Sequence, residues 1–313
     1  MRVRRMMAFC LRWLAIFFVA SLLVFGVVRL LPTGPAVHYL TGMNLPLTQE
    51  NIESITKSMG LDKPLHQQYL TWVAKFLQGD WGTSLTSNLD IRTEFMAKMP
   101  YSLAISLGGI SFGAVFAYGI GYCAAVHRGG FWDRGSRVLA VLTQAIPVFL
   151  IAIVVIHFFG VKLRIAKFFT GDSHLAIVAS ILIMACYKAA AWARVVRKAF
   201  REEMSKSYVR FSIARGFDKK KVLLFHSYRP VLCSLIAVMI ADFASVFGGS
   251  TVLEFAFAIP GISYFLVSCM KHSDYTVLQS YILVVICWMF LVHLLFGLLL
   301  EVLDVRRRKG GLE

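Results

Sequence analysis

Six long apolar runs separated by polar stretches set the pattern of this chain. They lie at about residues 9–31, 101–126, 138–161, 175–193, 231–253 and 276–303. A run of roughly 20 apolar residues is long enough to cross a bilayer core as a helix. A helix also satisfies its own backbone polar groups where there is no water to do so. Each run is therefore predicted to be one membrane-spanning helix, and the chain to be all-α. The first run follows Arg2, Arg4, Arg5 and Arg12, as in a signal peptide. It is long and lacks a small-residue cleavage site, so it reads as an uncleaved span.

Two polar stretches carry patterns of their own. Within 32–100, Thr48 is placed to cap a helix bearing Ile52, Ile55 and Met59, which Gly60 would end. Tyr69, Leu70, Val73, Phe76 and Leu77 predict the apolar face of a second short helix. The stretch 194–229 is highly charged, with eleven Lys and Arg against the three acids Glu202, Glu203 and Asp218. Inside it Tyr208, Phe211, Ser212 and Arg215 recur at helical spacing, and Gly216 suits a left-handed helix cap. Asp218 is placed to cap a second helix over Lys219–Tyr228. The prediction is helix, glycine corner, helix, a shape suited to docking.

Composition sharpens this picture. The 313 residues are 58% hydrophobic and 16% charged, unlike a soluble domain. The net charge of +16 admits a nucleic-acid partner until its distribution is read. Basic residues gather before the first run, at Arg128, Arg134 and Arg137, in 194–229, and at Arg306–Lys309. These segments share one side if each run crosses once, and basic residues mark the cytoplasmic side. Both termini are then expected in the cytoplasm, and no nucleic acid is expected as partner. The outer segment 32–100 carries five bases against six acids. The six cysteines are scattered, mostly in apolar runs, without metal or disulfide spacing.

Asp242 stands among apolar neighbours in the fifth run, where an acid is costly and marks a candidate functional site. It either lines a pathway or pairs with a buried base or hydroxyl. Lys188 in the fourth run is expected to snorkel to the cytoplasmic edge. His157 and His293 read as packing residues. Gly248 and Gly249, followed by Ser250, are expected to loosen the fifth helix near its outer end. No phosphate-binding Gly-rich loop, metalloprotease histidine pair or nucleophile elbow occurs; Ser84 lacks the second glycine that the elbow needs.

The run Tyr208-Val-Arg210-x-x-x-Ala214-Arg215-Gly216, continued by Val222, His226 and Arg229, resembles the coupling-loop motif of ABC importer permeases. The likeness is greatest to the dipeptide, oligopeptide and nickel branch. Arg210-Phe211-Ser212 replaces the Glu-Ala-Ala of broader importer families, and Pro230 stands where the branch often has Asn. A second match is Gly60-Leu-Asp62-Lys-Pro64, Gln68-Tyr69-Leu-x-Trp72 and Gly79-Asp80-x-Gly82-x-Ser84. A third runs from Gly248-Gly249-Ser250 through Glu254, Phe257, Pro260 and Gly261 to Asp274, Val277 and Gln279. Leu30-Leu31-Pro32 and Asp304-x-Arg306 extend the resemblance to nearly the whole chain.

The resemblance implies a six-helix type I ABC importer permease in the bacterial inner membrane. Residues 1–100 would hold the first span and outer loop. Residues 101–304 would form the permease core with its coupling loop 194–229, and 305–313 a cytoplasmic tail. It implies a second permease subunit, two ABC ATPases, an extracytoplasmic solute-binding protein and membrane lipid as partners. No cofactor is expected on this chain, since ATP and Mg would be used by the ATPases, and the chain itself is not expected to be an enzyme. Tyr208, Arg210, Ala214, Arg215, Gly216, His226 and Arg229 are the expected coupling residues. Asp242, Gly248, Gly249 and Glu254 are the candidate pathway residues, with no metal site. Nickel, a nickel chelate or a di- or oligopeptide is the expected cargo; Asn44-Leu-Pro46-x-Thr48 resembles nickel permeases. An intramembrane protease using Ser250 and a buried histidine, or a stand-alone channel, are the rival classes.

Overall fold

A computed structural model describes residues 2–30, 34–43, 45–58, 60–84, 87, 89–169, 174–271 and 274–303. Among these every regular element is helical, and the only β pairing is an isolated bridge between Thr83 and Asp90. Leu31, Pro32, Asn44, Met59, Asp304 and Arg306–Lys309 lie outside the described residues. Four helices are long and apolar enough to cross a membrane, and two bent pairs bring the number to six if each pair is one span.

The chain divides into two compact units, the first comprising Met1–Met99 and Tyr264–Val292. It holds α1 (Arg2–Arg29), α2 (Gly34–Gly42), α3 (Gln49–Ser58), α4 (Leu65–Leu77) and the start of α5 (Ile91–Val126). Most of α12 (Ile262–Lys271) and of α13 (Tyr275–Leu303) also belongs to it. Thr48 caps α3 through its hydroxyl, which accepts the Asn51 N–H at 3.3 Å, and Gly60 takes φ +64° as expected. Of the expected α4 stripe, Tyr69, Val73 and Phe76 lie on the inward face, where Trp72 joins them. Leu70 and Leu77 are exposed, because the true 3.6-residue period places them off that face. Tyr69 meets the Ser21 hydroxyl at 2.8 Å and the Phe25 ring at 5.4 Å, which fastens α4 to α1. The segment after α4 is held to the start of α13: Ser84 donates to Asp274 Oδ2 at 2.7 Å and Ser280 to the Trp81 carbonyl at 3.0 Å.

The second unit comprises Pro100–Ser263 and His293–Glu313. Its elements are the rest of α5, α6 (Phe131–Ala145), α7 (Val148–Val155) with a π-helical continuation Ile156–Lys162, and α8 (His174–Met204). After these come α9 (Ser207–Ala214), α10 (Lys219–His226) and α11 (Tyr228–Ala256). The third apolar run is not one straight span, for α6 and α7 meet at 97°. The cause is Pro147, which has no N–H for the helical ladder and disfavours helix at Ile146; Ile146 sits in extended conformation. The fifth helix also departs from expectation. It passes through Gly248 and Gly249 as continuous helix, so the glycine pair does not break its backbone ladder.

α8 is the inner post of this unit, with Ala185, Ala189, Ala193, Val196 and Phe200 buried along it. α5 meets it through small residues four apart. A Cβ on Gly109 would lie 2.5 Å from Met184 Cγ, and one on Gly121 would lie 2.6 Å from Val196 Cγ1 and 3.0 Å from the Ala193 carbonyl. Small residues let helix backbones approach and gain dispersion contacts in a medium that supplies little hydrophobic drive. Gly121→Ala is therefore expected to destabilise the purified protein by about 1–3 kcal/mol, the usual cost of overpacking. Gly119→Ala, where nothing lies within 4 Å of the new methyl, should melt like the parent. Equal melting temperatures for all three proteins would refute the close α5–α8 packing.

Candidate functional site

The charged stretch folds as a two-helix corner at the end of α8. α9 ends in a Schellman motif: Gly216 donates to the Ile213 carbonyl at 2.9 Å and Phe217 to the Ser212 carbonyl at 3.2 Å. Gly216 takes φ +88°, a conformation that side-chain-bearing residues rarely adopt. Asp218 then caps α10, accepting the Lys220 N–H at 3.4 Å. α10 ends at His226, two residues short of expectation, since the chain bends by 56° into α11 across the buried Ser227.

Val209, Val222 and Leu223 form the buried side of this corner. Tyr208 latches it. Its hydroxyl donates to Glu203 on α8 and meets the Ser227 hydroxyl at 3.1 Å, while Lys206 pairs with the same Glu203. The other side is open. Phe211, Phe217 and Phe225 are each more than half exposed, and Arg215 stands over the Phe211 ring at 5.6 Å. Arg210, Ala214, Gly216, His226 and Arg229 are exposed with them. Aromatic rings held in the open within a strongly charged segment mark an interaction surface. The sequence-predicted residues are thus gathered on one corner, which the Tyr208 hydroxyl ties to Glu203 and Ser227.

Asp242 lies far from that corner, near the middle of α11. Its Oδ2 accepts from Lys188 Nζ at 3.0 Å and from Trp192 Nε1 at 3.1 Å, both on α8. Lys188 does not reach for water as expected. It is 5% exposed, because Asp242 supplies a countercharge within the protein. The Asp242 side chain itself keeps 28% of its surface exposed. Glu254, in contrast, is fully buried and serves the backbone: its Oε2 accepts the Ser263 N–H at 2.9 Å at the start of α12. Ser102 accepts the neighbouring Ile262 N–H at 2.9 Å. A Cβ on Gly261 would lie 2.2 Å from that Glu254 oxygen, so only glycine fits beside this cap. Ser250 is buried within α11, and His293 lies edge-on to Phe243 at 6.3 Å.

A cluster that sequence reading overlooked stitches α6 to α8. Asp133 is 3% exposed, accepts the Gly129 N–H at 2.9 Å, and is ion-paired with Arg197, Arg201 and Arg137. The signal was present: Asp133 is the sole acid among the bases of 127–137.

The chain is similar in sequence to known proteins. The family described as "Binding-protein-dependent transport system inner membrane component" matches residues 96–309. The one described as "Binding-prot-dependent transport system membrane comp, N-term" matches residues 2–106. The chain is 30% identical over 282 residues to the glutathione transport system permease protein GsiC of Shigella boydii, covering 90% of this chain and 91% of that protein. It is 29% identical over 316 residues to the di/tripeptide transport system permease protein DppB of Pseudomonas aeruginosa, covering 90% and 93%. The GsiC of Pectobacterium atrosepticum is 30% identical over 281 residues, covering 90% and 91%.

Proposed function

Since the chain belongs to the family of binding-protein-dependent transport system inner membrane components, we propose that it imports short peptides or a peptide-like compound such as glutathione. It acts as the permease subunit of an ABC importer, within the cytoplasmic membrane. It pairs with a second permease subunit and receives cargo from an extracytoplasmic solute-binding protein. Two ATPase subunits bind and hydrolyse ATP with Mg. Both termini and the α9–α10 corner face the cytoplasm.

The observation that carries this reading is the open corner. Phe211, Phe217 and Phe225 offer apolar anchors flanked by Arg210, Arg215 and Arg229, while Tyr208 ties the corner to α8 and α11. An ATPase gripping that face would move both helices together. Asp242, the partly exposed acid on α11, would then meet a cation on the path, such as a peptide's ammonium group. The names of the related proteins favour peptide cargo over the nickel implied by the resemblance of Asn44-Leu-Pro46-x-Thr48 to nickel permeases.

Reconstitution tests the reading. The chain, its permease partner, the ATPases and the binding protein would be placed in liposomes with ATP enclosed. Labelled glutathione, dialanine and nickel ions would be offered outside. Uptake of glutathione or dialanine that requires ATP is expected. Uptake of nickel alone would overturn the peptide assignment, and flux through the chain alone without ATP would point to a channel.

A further inference from the structure

The corner has a second tie, and it comes from a different span. Tyr122, on the last turns of α5, donates its hydroxyl to the Lys220 carbonyl in the first turn of α10 at 3.3 Å. The N–H of the same Lys220 is capped by Asp218. Both backbone groups of Lys220 are thus engaged, one by the corner itself and one by α5. An eight-residue helix is too short to hold its place by its own ladder. Val222 and Leu223 give α10 its buried apolar contact. Such contact is non-directional, so it resists separation without fixing rotation. A hydrogen bond is directional and fixes the angle.

The tyrosine that makes this tie is itself held fast. Tyr118 and Tyr122, one turn apart, set their rings edge-on against the fully buried Phe200 of α8, at 5.4 Å and 5.5 Å between centroids. Between them Gly121 lies so close to Val196 and the Ala193 carbonyl that a Cβ does not fit. α5 and α8 therefore meet here as one packed block. The two helices of the corner are fastened to that block separately. Tyr208 ties α9 through Glu203 of α8, and Tyr122 ties α10 through α5. With both ties made, a pull on either helix carries into the block. Without the second, α10 can turn about Gly216, whose backbone no side chain restricts.

We propose that Tyr122 is a positioning residue for coupling: its hydroxyl holds α10 at the angle from which movement of a gripped corner passes into α5. The proposal rests on the reading of the corner as the ATPase contact. Loss of the hydroxyl leaves Phe217 and Phe225 open for docking, yet lets α10 yield under load. ATP hydrolysis then continues while less cargo moves.

Tyr122→Phe tests this, since it keeps the ring against Phe200 and removes only the hydroxyl. Tyr118→Phe is the control. It shares the stack on Phe200, and the Tyr118 hydroxyl makes no hydrogen bond among the described residues. The assembled transporter, with its ATPases and binding protein, would be reconstituted in liposomes. Tyr122→Phe should co-purify with the ATPases as the parent does. Its ratio of ATP hydrolysed to cargo imported should rise about twofold or more. Hydrogen exchange of the α10 amides should quicken about 2- to 10-fold, the change that one ordinary hydrogen bond makes, with the α9 amides unchanged. Tyr118→Phe should match the parent in both measurements. A merely structural hydroxyl would lower the melting temperature and leave the ratio at its parental value, and a parental ratio overturns the proposal. Parental exchange on α10 in Tyr122→Phe overturns it as well. Failure of the ATPases to co-purify with the parent would instead overturn the reading of the corner on which the proposal rests.

Discussion

Asp242→Leu is expected to lower the stability of the purified protein by about 3–5 kcal/mol, the cost of breaking a buried ion pair by removing one partner. The direction of the experiment matters. Lys188 has 7% of its side-chain surface exposed and Asp242 has 28%. Removing the acid takes the countercharge from the more deeply buried of the two groups. Removing the base with Lys188→Met strands a carboxylate that still reaches some solvent and still accepts from Trp192. Lys188→Met should therefore cost less than Asp242→Leu. The double variant should recover most of the loss, since it buries no unpaired charge. Thermal unfolding in detergent measures all four proteins. Two equal single losses that simply add in the double variant would show that the pair is not coupled. If the double variant is stable but transports poorly, the pair serves transport rather than folding.

Gly216→Val is expected to cut ATP-driven uptake at least tenfold while leaving membrane insertion intact. A branched side chain at φ +88° is disfavoured by more than the roughly 1–2 kcal/mol typical of left-handed backbone. No neighbour lies within 4 Å of the missing Cβ, so the penalty is conformational and not a clash. The corner would relax by shifting Phe217 and the Asp218 cap, and so would misplace the aromatic face. About 1.4 kcal/mol lost in docking is already tenfold in affinity. Gly216→Asn should be milder, because asparagine tolerates this region. The checks are uptake by proteoliposomes and co-purification of the ATPases. Normal values for both in the valine variant would remove the corner from the coupling role.

Some of this architecture was legible in the chain because local rules governed it. Thr48, Gly60, Gly216 and Asp218 sit where backbone geometry and capping demand such residues, and each took the expected local role. Other features depended on partners far away in sequence. Lys188 and Asp242 are 54 positions apart, and nothing local in either run announces their pairing. The α4 stripe was drawn too wide because Leu70 and Leu77 are apolar yet exposed, a common state for single leucines. The break at Pro147 was hidden in a run so uniformly apolar that periodicity carried no information, although proline alone could have flagged it. The close approach of α5 to α8 was also written in the chain. Gly109, Gly113, Ala117, Gly121 and Ala125 fall four apart, a spacing that stands out only when small residues are sought as contacts.

The continuity of α8 has a mechanical consequence. Its 31 residues form one unbroken rod about 46 Å long at 1.5 Å per residue. Lys188 sits near its middle and Glu203, the residue that holds Tyr208, near its end, about 22 Å further along. Between them Arg197 and Arg201 fasten the rod to Asp133. A stiff bar pinned close to one end is a lever with unequal arms. If the α9 corner moves when a partner grips it, a small tilt of that short arm about the Asp133 pin would carry the long arm, with Lys188 on it, the opposite way through a larger arc.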